Sequence, residues 1–212
     1  MKATIKYLLL CLSFTMAVST ASAKDYDPIV FVHGFSGSTL VNFSSMIKRF
    51  KRAGYPSNRL YYYTYNSLPG VKKGAETLKK KVEEVLRKTG KSKVDIISHS
   101  MGGLVSRYYM KKLGGASKVD QLVNVATPHK GTFWAQLFPV TQATKDMTPG
   151  SSLLKSISGY YPGLNLYSVC DEIVIPNSSA KVGKSSNIGC WGHIASTWSW
   201  GVFKKARDFV KP

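Results

Sequence analysis

The sequence predicts an α/β protein built on a mostly parallel central sheet flanked by helices. Three observations lead there. Short continuous apolar runs at 28–32 and 94–97 are the signature of strands buried on both faces. An amphipathic helical stretch lies between them, with Val71, Ala75, Leu78, Val82, Val85 and Leu86 on one side and Lys72, Lys73, Lys80, Glu83, Glu84 and Lys88 on the other. Strand and helix signals alternate along the chain, which is the pattern of a parallel sheet with helical crossovers. The length of 212 residues suits one domain.

The elements follow in order. The first 23 residues carry a basic start (Lys2, Lys6), an apolar stretch containing Leu8-Leu9-Leu10, and the small-x-small tripeptide Ala21-Ser22-Ala23. This is the pattern of a secretory signal peptide, and the apolar run falls short of the ~20 residues a spanning helix needs. A mature domain at 24–212 and an extracellular location are therefore expected. After the strand at 28–32 comes His33-Gly34-Phe35-Ser36-Gly37. Gly34 and Gly37 are read as giving this loop the backbone angles that turn an N–H inward. A helix is expected over 41–53, a tyrosine-rich strand over 59–65, and the amphipathic helix from Val71 to a stop at Gly90.

The run at 94–97 leads into Ser98-His99-Ser100-Met101-Gly102-Gly103 and then a helix beginning near Leu104. A serine on a tight strand-to-helix turn with small residues two before and two after it is a nucleophile elbow. Ser100 is thus the candidate nucleophile. Position 98 holds serine where the general pattern has glycine. A strand over 119–126 follows, ending in Thr127-Pro128-His129. The stretch 132–162 is irregular and partly apolar, and is read as a small cap or acyl-binding wall. A strand over 163–170 runs directly into Asp171, the place for a catalytic acid; Asp120 and Asp146 are weaker candidates, and Glu172 is expected to point elsewhere. Gly192-His193 supplies a histidine in a glycine-flanked loop, and a last helix spans 195–210. His33 and His129 are rival bases, but each is read as structural. The order Ser100, Asp171, His193 is that of one of the three known arrangements of this triad. In it His193 takes the serine proton, Asp171 fixes the imidazole, and the backbone N–H groups of Phe35 and Met101 form the oxyanion hole.

Two cysteines remain beyond residue 23, Cys170 and Cys190, and an even count in an exported chain points to a disulfide. Such a bond would tie together the loops bearing acid and base. Lys and Arg number 30 against 11 acidic residues, a formal charge of +19, or +17 without Lys2 and Lys6. The lysines are scattered and no nucleic-acid motif accompanies them, so contact with anionic lipid or cell surfaces is expected and contact with nucleic acid is not.

The motifs Val30-Phe31-Val32-His33-Gly34, His99-Ser100-Met101-Gly102-Gly103, Asp171-Glu172-Ile173-Val174 and Gly192-His193-Ile194 together resemble those of the small secreted bacterial triacylglycerol lipases known from Bacillus. That resemblance implies the α/β-hydrolase fold, hydrolysis of acylglycerols and simple esters, and no cofactor or metal; a monomer is expected separately. It departs from those enzymes at Ser98, in the length of 132–162, and in the two cysteines. The same residues would serve a short-chain carboxylesterase, a phospholipase or an acyltransferase. A basic, non-catalytic surface-binding protein is a further alternative, against which the filled triad positions argue.

Overall fold

A computed structural model describes residues 25–211. The signal peptide expected over 1–23 lies outside the described residues.

Six strands form one parallel sheet in the order β2-β1-β3-β4-β5-β6: β1 Ile29–Val32, β2 Leu60–Tyr63, β3 Val94–His99, β4 Val119–Val125, β5 Leu164–Tyr167 and β6 Ser185–Asn187. The helices are α1 Thr39–Arg52, α2 Val71–Thr89, α3 Met101–Lys112, three short ones, α4 Phe133–Leu137, α5 Gln142–Met147 and α6 Ser152–Ser156, and finally α7 Trp200–Phe209. Side chains alternate across the sheet, so β1 supplies both faces. Val30 and Val32 pack with Val82, Val85, Leu104 and Val105 of α2 and α3. Ile29 and Phe31 pack with Phe43, Met46 and Phe50 of α1 and with Val202, Phe203 and Ala206 of α7. Burial on both sides is why these strands read as unbroken apolar runs.

The chain leaves β1 for β2 on one side and returns to β3 on the other. The strand order therefore reverses between β1 and β3, and in open α/β sheets ligands bind beyond the carboxyl ends at that reversal. The loop after β1 begins at His33, and the turn after β3 holds Ser100.

Beyond residue 163 three features differ from expectation. The acid-bearing strand ends at Tyr167, because Ser168 turns back to the 189–191 segment: its Oγ accepts the Trp191 N–H at 2.8 Å and the Cys170 N–H at 3.1 Å. The last helix is broken at Ser199, whose side chain caps α7 by accepting the Val202 N–H. A 3-10 turn, Ala195–Trp198, precedes it. The edge strand β6 is Ser-Ser-Asn and gave no apolar signal.

A polar row crosses the middle of this apolar sheet. Ser98, Asn124 and Asn165 are aligned neighbours on β3, β4 and β5, and all are buried. The Ser98 hydroxyl donates to Asn124 Oδ1 at 2.7 Å, Asn124 Nδ2 to Asn165 Oδ1 at 2.8 Å, and Asn165 Nδ2 to the Val182 carbonyl at 2.9 Å. This is why serine stands at position 98: its hydroxyl closes the end of the row.

Candidate active site

Ser100 sits at φ 55°, ψ −129°, a backbone conformation that a residue with a side chain adopts only under strain. Close packing enforces it. A Cβ on Gly102 would lie 2.5 Å from the Val32 carbonyl oxygen and 2.6 Å from that of His33, and one on Gly103 would collide with Thr127. The two glycines let α3 start against the ends of β1 and β4, leaving the serine at the apex of the turn.

Three side chains meet there. His193 Nε2 is 2.9 Å from Ser100 Oγ, and His193 Nδ1 is 2.9 Å and 3.0 Å from the two carboxylate oxygens of Asp171. All three residues are buried. Asp171 Oδ1 also accepts the N–H groups of Ile173 at 2.9 Å and Val174 at 2.8 Å. Burial alone would raise the pKa of this carboxyl, but the hydrogen bond and charge of His193 and the two backbone donors outweigh it, and the net shift is downward. The carboxylate therefore stays ionised, and the proton between it and the imidazole rests on Nδ1. Nε2 is left as an acceptor for the serine hydroxyl.

The predicted oxyanion donors lie close by. Gly34, Phe35 and Ser100 line one cavity, and Met101 follows Ser100 as the first residue of α3. Among the described residues neither the Phe35 nor the Met101 N–H has a hydrogen-bond partner. Gly34 and Gly37 do not supply the unusual backbone angles expected of this loop. Neither Gly34 nor Gly37 has a positive φ; that conformation falls to Ser36, at 52°. Glycine is needed at 34 for space, since a Cβ there would sit 2.6 Å from the Cβ of Ser100.

The rival groups have other work. His33 is fully buried, with Nδ1 2.8 Å from the Gly34 carbonyl, Nε2 accepting the Tyr65 N–H, and its ring stacked on Tyr65. His129 accepts from Arg107 at 3.1 Å. Burial pushes both imidazoles below their ordinary pKa, and Arg107 adds to this at His129. Asp120 pairs with Lys93 at the surface, and Asp146 caps the start of α2 by accepting the Val71 N–H at 2.7 Å. Glu172 does not point elsewhere. Its Oε2 accepts the His193 N–H at 2.9 Å, a role whose only sequence signal was adjacency to Asp171.

Cys170 and Cys190 are joined, with their Cα atoms 4.7 Å apart. The bond lies one residue before Asp171 and three before His193. The cavity beside Ser100 measures about 610 Å³. The 132–162 segment forms one wall of it through Trp134, Ala135, Phe138 and Met147, while Val41 and Ile194 stand among its other lining residues. Phe138, Val41 and Ile194 are exposed at its mouth. Among the described residues no group of histidine, cysteine and acidic side chains could hold a metal ion.

Residues 26–154 match the model of a family described as Lipase (class 2). A triacylglycerol lipase of Burkholderia plantarii is 32% identical over 131 residues, covering 57% of this chain and 34% of that protein. One from Pseudarthrobacter phenanthrenivorans is 32% identical over 127 residues, covering 55% of this chain and 37% of its own. The chain thus spans only about a third of the length of these relatives. Among solved structures, the mature form of Bacillus licheniformis lipase BlEst2 superposes with a TM-score of 0.75 at 18% identity, over 90% of this chain and 94% of that one. Aspergillus fumigatus lipase B gives 0.71 at 17% identity, over 88% and 57%. The fold is that of the α/β-hydrolases.

Proposed function

The chain belongs to the class 2 lipases, and from that premise we propose that it is a secreted serine hydrolase that cleaves acylglycerol and related carboxylic esters through an acyl-enzyme on Ser100. The observation that carries this reading is the unbroken line from Asp171 through His193 to the Ser100 hydroxyl, with both hydrogen bonds at 2.9 Å.

The chemistry balances on these groups. His193 Nε2 removes the Ser100 proton as Oγ bonds to the ester carbonyl carbon, and the carbonyl π electrons move onto oxygen. The N–H groups of Phe35 and Met101 hold that oxyanion; one such donor is worth about 3–4 kcal/mol in the transition state. Asp171 stabilises the imidazolium. Collapse re-forms the carbonyl and breaks the bond to the leaving alcohol, which takes the proton from Nε2. Water then repeats the sequence on the acyl-enzyme, releasing the acid and restoring Ser100.

The cavity supports an acyl substrate. Its walls are mostly apolar, and the exposed Phe138, Val41 and Ile194 extend that surface to the rim. The basic charge of the chain favours an anionic lipid or cell surface as the place of work.

The test is hydrolysis of p-nitrophenyl octanoate by residues 24–212 beside the Ser100→Ala variant. The variant is expected to lose at least ~10³-fold in kcat. Equal rates in the two proteins would overturn the reading, and retention on anionic vesicles without turnover would favour a binding protein. A higher rate on emulsified than on dissolved ester separates a lipase from an esterase.

A further inference from the structure

His193 can act only while its ring stays between Asp171 and Ser100, so what holds its backbone matters. Glu172 Oε2 accepts its N–H at 2.9 Å. Its carbonyl oxygen accepts from the Ser196 hydroxyl at 2.7 Å and from His99 Nε2 at 3.1 Å. Glu172 lies in the loop after β5 and Ser196 in the 3-10 turn Ala195–Trp198 that precedes α7. His99 is the last residue of β3 and directly precedes the nucleophile. Its bond ties the backbone of His193 to the strand that presents Ser100.

The tautomer of His99 follows from its partners. A carbonyl oxygen can only accept, so Nε2 carries the hydrogen and Nδ1 has a lone pair. Nδ1 faces Asn42 Nδ2 at 3.1 Å, and an amide nitrogen can only donate. Asn42, in the first turn of α1, thus excludes a proton from Nδ1. The arrangement leaves something unmatched: Asn42 Oδ1 is buried with no partner among the described residues. An amide turned the other way would set its oxygen against the Nδ1 lone pair. The orphaned oxygen is what the sheltered amide donor leaves behind. The rings of His99 and His193 lie 4.6 Å apart. His99 stays neutral beside a base that must become a cation, because burial, followed by the charge of His193, pushes its pKa down to about 3.

We propose that His99, with its tautomer set by Asn42, is a positioning residue that anchors the backbone of His193 to the nucleophile's strand. The proposal rests on the reading of Ser100 and His193 as nucleophile and base.

The test measures kcat and KM separately for p-nitrophenyl octanoate in His99→Leu, His99→Gln, Asn42→Leu and the double variant Asn42→Leu/His99→Gln. Glutamine places an amide N–H near the position of Nε2 and has no ring nitrogen for Asn42 to protect. His99→Leu is expected to lose kcat by about 10–100-fold, the cost of a base displaced by up to 1 Å, with KM changed less than about threefold. His99→Gln should recover most of that loss. Asn42→Leu should lower kcat in the parent protein and have no further effect on His99→Gln, since coupled residues are not additive. A His99→Leu protein with parental kcat would overturn the proposal, as would a glutamine variant no better than leucine. If the leucine variant does not fold, as judged by near-ultraviolet circular dichroism, the Asn42 cycle decides: an Asn42→Leu loss that is the same with histidine or glutamine at 99 overturns the proposal. Activity surviving in Ser100→Ala would instead remove the underlying reading of the site.

Discussion

Gly34→Ala adds one methyl group at a position whose backbone can accept alanine. The new Cβ would lie 2.6 Å from Ser100 Cβ, 3.2 Å from Ser100 Oγ and 3.2 Å from the His99 carbonyl oxygen. Carbon atoms in contact sit about 3.5–4.0 Å apart, so the loop and the elbow must separate by roughly 1 Å. The sheet and α3 hold the serine from behind, and the loop is the element that yields. Its displacement carries the Phe35 N–H away from the oxyanion position. A misplacement of that size costs about 10²-fold in rate, close to 3 kcal/mol at about 1.4 kcal/mol per factor of ten. Overpacking would reduce stability by only about 1–3 kcal/mol, so the variant should fold. The assay is kcat for p-nitrophenyl octanoate together with thermal unfolding of the same samples. A Gly34→Ala protein within twofold of the parental kcat would refute this account of the glycine and of the Phe35 donor alike.

Opening the Cys170–Cys190 bond, by reduction or by replacing both residues with serine, should lower stability by about 2–4 kcal/mol; denaturant unfolding with and without reductant reads it, and unchanged midpoints would show that the loops hold without the bond. Asp95 gives a pH effect of fixed sign. Burial raises its carboxyl pKa to about 8, far above the ordinary carboxylate range of about 4. The folded state therefore keeps a proton that the unfolded chain releases. The stability this confers is full below pH 4 and is lost as pH rises toward and through 8, at no more than about 1.4 kcal/mol per pH unit. Asp95→Asn should flatten that slope between pH 5 and 7.5 in urea unfolding, and a slope as steep as the parent's would contradict it.

Much of the fold was legible because its strands are buried on both faces and its helices on one. Val30-Phe31-Val32 and the stripe from Val71 to Leu86 could hardly be read otherwise. The meeting of Ser100, Asp171 and His193 was legible because each follows a strand or sits in a glycine-flanked loop. What was hidden is the set of polar contacts made across long separations. Beyond adjacency to Asp171, nothing near Glu172 indicates that it holds the His193 N–H, and nothing near His99 indicates Asn42, which is 57 residues away. The strand β6 escaped because an edge strand of three polar residues has no apolar face to announce it. The Gly34 misreading has a similar cause: sequence shows that a glycine is present, but only neighbours in space show whether it serves an angle or a gap.

The row of Ser98, Asn124 and Asn165 works as a key for strand alignment. Apolar strands can slide past one another and find new apolar neighbours, because greasy contacts carry little directional preference. Sliding any of these three strands by one position would bury amides and a hydroxyl against side chains unable to answer them, and each buried polar group left without a partner costs about 1–3 kcal/mol. The observed alignment satisfies the whole row. That alignment sets the height of the turn after β3 against the turn after β5, and so the distance from Ser100 to Asp171. An engineer who restored glycine at position 98 would strip Asn124 of its donor and loosen the lock that keeps nucleophile and acid level.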